Sequence, residues 1–185
     1  MPEPIELDQA PPPSPDRMRV AFRELHARRL HGFALLLALG DRASAARLAT
    51  DALTAAGTRI EALRHPERAA AWLRQHVVQH ASGARRRERL VEPRVLGDLG
   101  ADAAVVAGLA LLAPRERAVL IAGAIERLDR RDVAMIVDRD GPGLDRLLRR
   151  ARRRYVGAYV AAAPGAVGGG PVTARIRRVA QSVLS

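Results

Sequence analysis

Apolar side chains recur along most of this chain with the three-to-four-residue period of amphipathic α-helices. The pattern is clearest after Asp41, where one stripe comprises Ala45, Leu48, Ala49, Ala52, Leu53, Ala56, Ile60 and Leu63. Aspartate is a favoured N-cap because its carboxylate accepts a hydrogen bond from a free N–H of the first turn. We therefore predict a helix that begins after Asp41. An earlier helix is predicted from a stripe of Met18, Phe22, Leu25, Phe33 and Leu36, ended by Gly40.

Two prolines mark the starts of further helices, because a first-turn residue needs no N–H donor. Pro66 begins a pattern with an apolar side of Trp72, Leu73, His76, Val77 and His80. Pro114 begins another with Ala118, Ile121, Ala122, Ile125 and Leu128. The alternating β-branched runs typical of strands are missing. The sequence therefore predicts an all-α fold.

The last helical pattern combines an apolar stripe with an arginine-rich side. A short helix is predicted over about residues 130–137, and residues 138–143 (D-R-D-G-P-G) have the composition of a tight turn. The helix that follows has an inward stripe of Leu144, Leu147, Leu148, Ala151 and Tyr155. Its outward side carries Arg146, Arg149, Arg150, Arg152, Arg153 and Arg154. A short helix, a turn and a basic helix in this order are typical of a helix-turn-helix.

The distribution of charge and the positions of proline and glycine divide the chain into two small helical domains joined by a linker. Residues 1–16 carry four acids, no arginine and a proline-rich run, which predicts a disordered tail. Residues 17–90 hold 15 arginines and six acids and form the first predicted domain. Residues 91–107 are predicted to be the linker, and residues 108–160 the domain with the helix-turn-helix. Residues 161–185 are a Gly/Pro-rich linker and a short basic segment.

The composition excludes several chemistries and favours an anionic partner. All 31 basic residues are arginine, and lysine and cysteine are missing, so Schiff-base, P-loop lysine and thiol chemistry are excluded. No catalytic motif is present, and we predict a binding protein rather than an enzyme, with no cofactor, metal or small-molecule substrate. The net charge of +11 favours nucleic acid as the partner. Without a membrane span or signal peptide in the sequence, the cytoplasm is the expected location.

Three groups of side chains have both a structural and a functional interpretation. The arginine side of the last helix is either a solvated face or a recognition surface for DNA. The run Arg85, Arg86 and Arg87 either offsets the dipole at a helix end or contacts nucleic acid. His76 and His80 have the spacing of metal ligands but lack an obvious third ligand, which favours a structural role.

Several segments, in the right order, are similar to bacterial RNA polymerase sigma factors of the extracytoplasmic-function type. Residues 112–120 (L-A-P-R-E-R-A-V-L) resemble the "L-x-P-x-E-R-x-V-L" opening of sigma region four. Residues 132–134 stand where the family has "E-I-A", and residues 150–152 match its "R-A-R". In the first domain, Gly40-Asp41 and the residues after it resemble the stretch that docks on the polymerase clamp. Residues 65–73 are similar to the family's "D-P-E-R…A-W-L".

This resemblance implies a transcription initiation protein that binds core RNA polymerase and promoter DNA, with the first domain at the −10 element and the second at the −35 element. The implied polymerase contacts are Arg47, Leu48, Asp51 and Leu53. The implied DNA contacts are Gly143, Asp145, Arg146 and Arg149 at the major groove and Arg150, Arg152 and Arg153 on phosphates. Arg139 and the run Arg85, Arg86 and Arg87 are further expected DNA contacts. An anti-sigma protein is a further implied partner. Two alternatives stay open: a helix-turn-helix regulator that works without polymerase, and a helical module that binds an acidic protein.

Overall fold

In a computed structural model, residues 14–63, 65–83, 96 and 103–162 are described, and their regular structure is entirely helical. The helices are α1 (Pro15–Leu37), α2 (Arg42–Gly57), α3 (Pro66–Gly83), α4 (Ala103–Ala110), α5 (Pro114–Leu120), α6 (Arg130–Val137) and α7 (Gly141–Ala162), and a π-helical turn (Ile121–Ile125) continues α5. The predicted all-α class is therefore confirmed for this part of the chain. Residues 1–13, most of the predicted linker and the final 23 residues lie outside it.

The helix starts that local signals predict are confirmed. Asp41 is the N-cap of α2, and its Oδ1 accepts a hydrogen bond from the Ser44 N–H at 2.8 Å. Helices α3 and α5 begin at Pro66 and Pro114. The buried side of α2 comprises Ala45, Leu48, Ala49, Ala52, Leu53 and Ala56. The helix ends at Gly57, a poor helix former, so Ile60 lies in the turns that follow rather than on the stripe.

Helix α1 is buried only over its C-terminal half. Burial begins at His26, and Phe33 and Leu36 are 1% exposed, whereas Leu25 is 60% exposed. The prediction that Leu25 faces the core was therefore wrong. Helices α2 and α3 pack against α1. In the N-terminal turns of α1 the half-buried Phe22 still packs against the core, but Val20 is exposed. The helical period of a sequence predicts which face of a helix is apolar, but not how many turns of that face are buried.

The buried side chains of both halves form one continuous cluster. Helix α3 of the first half packs against α6 of the second, and α1 contacts α5 and its π turn. The segment predicted to be a linker contributes as well. Leu96 is fully buried in the cluster, and α4, which begins at Ala103, packs against α7. The apolar run of α4 explains this difference, because a linker in water would leave Val105, Val106 and their neighbours hydrated.

Two buried arginines join the halves. The Arg74 guanidinium on α3 pairs with the Glu126 carboxylate at the end of the π turn. Arg117 on α5 is 1% exposed and donates to the carbonyl oxygen of Leu37 at the end of α1. It also donates to the carbonyls of Leu109 and Leu112, at 3.1 and 3.0 Å. These contacts satisfy polar groups that would otherwise be buried without partners.

Candidate nucleic-acid interface

Helices α6 and α7 are joined by three residues. Helix α6 is capped by Asp129, whose Oδ1 accepts from the N–H groups of Arg131 and Asp132, both at 2.9 Å. It ends at Asp138 in the left-handed conformation, with φ 54° and ψ 59°, a region that Asp adopts more readily than most residues. The Asp140 Oδ1 then accepts from the Gly143 N–H at 2.9 Å, which caps α7.

The turn is shorter than the sequence predicts. Residues 138–143 were expected to form it, but α7 already begins at Gly141, so Gly141, Pro142 and Gly143 are its first turn. Proline is well tolerated there because the first turn needs no N–H donor. Gly143, a predicted DNA contact, is therefore a helical residue whose N–H is held by the Asp140 cap. Arg139, another predicted contact, is exposed in the turn, and its Nη1 donates to the Asp138 carbonyl at 3.0 Å.

The inward stripe of α7 is confirmed. Leu144, Ala151 and Tyr155 are buried, at 0, 0 and 2% exposure. Leu147 and Leu148 are half-buried and pack against the core. Because α4, α5 and α6 all contact α7, the orientation of its opposite face is fixed.

The arginine side of α7 divides into three parts. Arg146, Arg149 and Arg153 point away from the core, and all three are exposed. Their spacing places them within about 60° of arc on the helix surface. Within the described part of the chain, none of the three forms an ion pair. Their guanidinium groups are therefore available together, on one face of α7, to an external anion.

Arg150 and Arg154 instead turn to one flank, where they share a buried carboxylate. Glu116 of α5 has a side chain that is 4% exposed, and its Oε1 lies 2.8 Å from the Arg150 Nε. Its Oε2 accepts from the Arg154 Nη1 at 2.6 Å and from the Ala113 N–H at 2.9 Å. The prediction of one six-arginine outward face is thus corrected, because a carboxylate more than 30 residues earlier draws two arginines aside. Arg150, a predicted phosphate contact, already has an anionic partner.

The acidic residue near the start of α7 is compensated. The Arg130 Nη2 on α6 lies 2.8 Å from the Asp145 Oδ1, and it also donates to the Gly141 carbonyl at 3.3 Å. Asp145 therefore presents little net repulsion to a phosphate backbone.

Arg152, the third predicted phosphate contact, lies on the other flank of α7, where it lines a groove between α7 and the π turn.

In the first half, the predicted polymerase contacts are of two kinds. Leu48 and Leu53 are 3 and 9% exposed and belong to the core, so their side chains do not present a surface to a partner. Arg47 and Asp51 are exposed on α2 and form a loose ion pair at 3.9 Å. The predicted basic run Arg85, Arg86 and Arg87 lies outside the described residues.

The histidines of α3 form part of an aromatic row. The His76 and His80 rings stack with centroids 4.0 Å apart, and the Trp72 ring lies 5.4 Å from His76. Burial, and then the neighbouring His80, lower the pKa of His76. Trp72 is half-buried against the core, with the Arg59 guanidinium 5.9 Å from its ring centroid. Among the described residues, no three His, Asp or Glu side chains converge as metal ligands would.

The interface thus consists of a short capped helix, a three-residue turn and a rigidly packed helix with three outward guanidinium groups. Arginine pairs with phosphate oxygens through two parallel N–H donors, which suits this arrangement to a nucleic-acid backbone. In the described part of the chain, no helix is both long and apolar enough to cross a membrane. Comparison with models of protein families, with curated proteins and with solved structures found no match for this chain.

Proposed function

We propose that this chain is a divergent sigma factor-like protein of transcription initiation, which binds core RNA polymerase and places α7 in the major groove of promoter DNA. The observation that carries the DNA-binding part is the outward row of Arg146, Arg149 and Arg153, which make no ion pair with any other described residue. In this proposal α6 and α7 act as a helix-turn-helix, and α7 is its recognition helix.

The dimensions of the row suit a DNA duplex. Arg146 and Arg153 are seven residues apart, which is about 10 Å along the helix axis. That is about three base steps of one strand, and the major groove of about 12 Å width admits an α-helix. The ion pair between Arg130 and Asp145 supports the proposal, because it offsets a carboxylate that would otherwise repel phosphates.

The polymerase-binding part rests on the sequence resemblance in the first half. There, Arg47 and Asp51 are exposed on α2 and available to a protein partner, while Leu48 and Leu53 form the core beneath them. This half would hold the polymerase and meet the −10 element, and the second half would read the −35 element.

A second candidate is a DNA-binding regulator that works without polymerase, and the shared core favours it. The −10 and −35 elements lie 25 base pairs apart, or about 85 Å at 3.4 Å per step. A compact body of about 130 residues has a radius of gyration of only about 14 Å. A sigma-like protein would therefore have to separate its halves on the polymerase and expose the Arg74–Glu126 pair, whereas a regulator could bind one site as it is.

Two assays separate these candidates. The purified chain is first mixed with core RNA polymerase at low salt and passed over a gel-filtration column, and the mixture is tested for promoter-dependent transcripts. The chain alone is then used to select sites from a random duplex library. Co-elution with transcripts supports the sigma-like protein, and a selected site bound without polymerase supports the regulator. If neither occurs, both candidates are overturned in favour of a module that binds an acidic protein.

The role of α7 is tested by replacing Arg146, Arg149 and Arg153 with alanine together. Binding to a fluorescent duplex should weaken, and the slope of log affinity against log salt should fall by up to about 2.7 if all three contact phosphates. The matched control removes the same charge from exposed positions elsewhere, by alanine at Arg17, Arg28 and Arg42. Equal effects of the two triple variants would mean that bulk charge, and not α7, binds DNA.

A further inference from the structure

An apolar groove runs along α7 on the flank away from Glu116. Its cavity volume is about 530 Å³, and it lies between α7, α6 and the π turn. Val119 and Leu144 form its buried floor, and Ala124, Leu128 and Leu148 are among its walls. At Gly123 the groove is open, because a Cβ built there would meet nothing within 4 Å.

The groove has the length of a short helix. Its α7 wall extends from Leu144 to Val156, twelve residues or about 18 Å. Val156 at its end is 42% exposed, and Val160, one turn further along α7, is 43% exposed. An apolar groove that leads to exposed apolar side chains marks a surface that packs against something.

The remainder of the chain contains a segment with the matching pattern. Residues 172–184 carry apolar side chains at Val172, Ile176, Val179 and Val183, with spacings of four, three and four. This period predicts one apolar stripe on a helix of about 20 Å. The arginines of the segment, Arg175, Arg177 and Arg178, fall outside that stripe. We propose that residues 172–184 form an amphipathic helix that packs into the groove, antiparallel to α7.

The connection between α7 and this segment permits the proposed packing. Residues 163–171 form a nine-residue Gly/Pro-rich connection that can span about 30 Å. From Ala162 back to Val156, the near end of the groove, the distance along α7 is only about 9 Å. A tethered segment acts at an effective concentration in the millimolar range. This advantage favours the chain's own segment over a second copy.

Two arginines line the groove, and both are exposed rather than part of its floor. Arg130 already pairs with Asp145, and Arg152 keeps its solvent contact without a partner among the described residues. The fit is therefore decided mainly by apolar contact, which the stripe of residues 172–184 provides. The inference does not depend on DNA binding, since none of Arg146, Arg149 and Arg153 lines the groove.

The absence of cysteine from the chain allows a clean cross-linking test. One cysteine replaces Gly123 in the groove, where the added side chain meets open space. A second cysteine is placed in the full-length chain at Ile176, Val179 or Val183 on the stripe, or at Arg178 or Gln181 on the polar side. Disulfide formation under mild oxidation is followed by non-reducing electrophoresis and mass spectrometry of the peptides.

The expected result is an intramolecular disulfide that forms about tenfold or more faster from the best stripe position than from either polar-side position. Equal rates at all positions would overturn the proposal, because they indicate a segment that does not dock by one face. A disulfide-linked dimer would overturn it in favour of a second copy in the groove. The matched control pairs Val179→Cys with Gly57→Cys, a similarly open position on α2. Cross-linking at Gly123 no faster than in this control would also overturn the proposal.

A further variant separates docking from proximity. Ile176→Asp places a charge on the stripe, and Arg177→Asp places one on the polar side. In the background of Gly123→Cys and Val179→Cys, the first should slow cross-linking about tenfold, because an unpaired carboxylate resists burial in an apolar groove. The second should leave the rate nearly unchanged, and a similar slowing by both would contradict packing through the stripe.

Discussion

The Arg74 guanidinium and the Glu126 carboxylate form a two-point ion pair across the two halves of the protein, with Nε–Oε2 and Nη2–Oε1 both at 2.7 Å. Both side chains are buried, at 7 and 6% exposure. Arg74 is further held by the Ala70 carbonyl at 2.9 Å, and its guanidinium lies 5.7 Å from the ring centroid of Phe33. The pair therefore fixes how α3 meets the end of the π turn.

Replacing Glu126 with alanine should lower the free energy of unfolding by about 3–5 kcal/mol, because it leaves a buried guanidinium without its counter-charge. Urea denaturation followed by circular dichroism measures the loss. The double variant Arg74→Met, Glu126→Met should recover much of it, since an apolar pair needs no compensation. In the matched control, Asp51→Ala breaks the exposed pair with Arg47 and should cost less than about 1 kcal/mol. Similar losses from the two alanine variants would contradict the argument from burial.

Replacing Arg117 with methionine should lower the free energy of unfolding by about 3 kcal/mol. The change removes the donors to three carbonyl groups, and each buried acceptor left unpaired costs about 1–3 kcal/mol before the structure relaxes. Arg117→Lys should recover little, because a single ammonium lacks the planar fork that reaches the Leu37, Leu109 and Leu112 oxygens together. Full stability in the lysine variant would show that charge, not fork geometry, is required.

Two glycine-to-alanine changes should act in opposite directions. A Cβ on Gly108 of α4 would lie 2.7 Å from Cε2 and 2.9 Å from Cδ2 of the buried Tyr155 ring. Gly108→Ala should therefore destabilise the fold by about 1–3 kcal/mol. At Gly157 of α7 a Cβ meets nothing within 4 Å, so Gly157→Ala should stabilise by about 0.5–1 kcal/mol through helix propensity. Thermal unfolding gives both values, and a stabilised Gly108→Ala variant would mean that α4 and α7 separate easily.

Stability should decrease as pH falls below about 6.5. Burial, and then the nearby Arg74 and Arg29, lower the pKa of His26, so the folded state keeps its imidazole neutral where the unfolded chain already takes up a proton. The His26 Nε2 is buried and lacks a hydrogen-bond partner among the described residues. Denaturant titrations between pH 8 and 5 should show a smaller decline in His26→Leu than in the wild type. Parallel declines would assign the effect to other groups, of which His76 is the first to test.

Local signals in the sequence were sufficient for the starts of α2, α3 and α5 and for the buried faces of α2 and α7. The Asp41 cap, and the prolines at 66 and 114, mark helix starts through their own backbone chemistry, which needs no distant partner. The helical period likewise identified the α2 stripe. Helix α4 was missed, although its residues are apolar, because Gly97 and Gly100 before it and Gly108 within it suggested a linker. Only the packing of α4 on α7 shows that this segment is a core helix and not a linker.

Long-range ion pairs could not be predicted from the sequence. The outward arginines of α7 follow from helical period alone, but Arg150 and Arg154 turn toward Glu116, which no spacing rule connects with them. Arg117 was unexpected for the same reason. It stands in a charged stretch that suggests solvent exposure, and its burial depends on carbonyl groups supplied by two helix ends. In each case the partner is determined by the fold.

The single buried cluster has a consequence for cooperativity. Because both halves contribute to it, the chain should unfold in one transition, with neither half stable as a separate fragment. A ligand bound at α7 would then slow amide hydrogen exchange in the buried turns of α1, since those amides exchange only through the same global opening. A partner that binds only the separated halves would instead require the core to open first. Its observed affinity would be reduced by the whole free energy of opening the core.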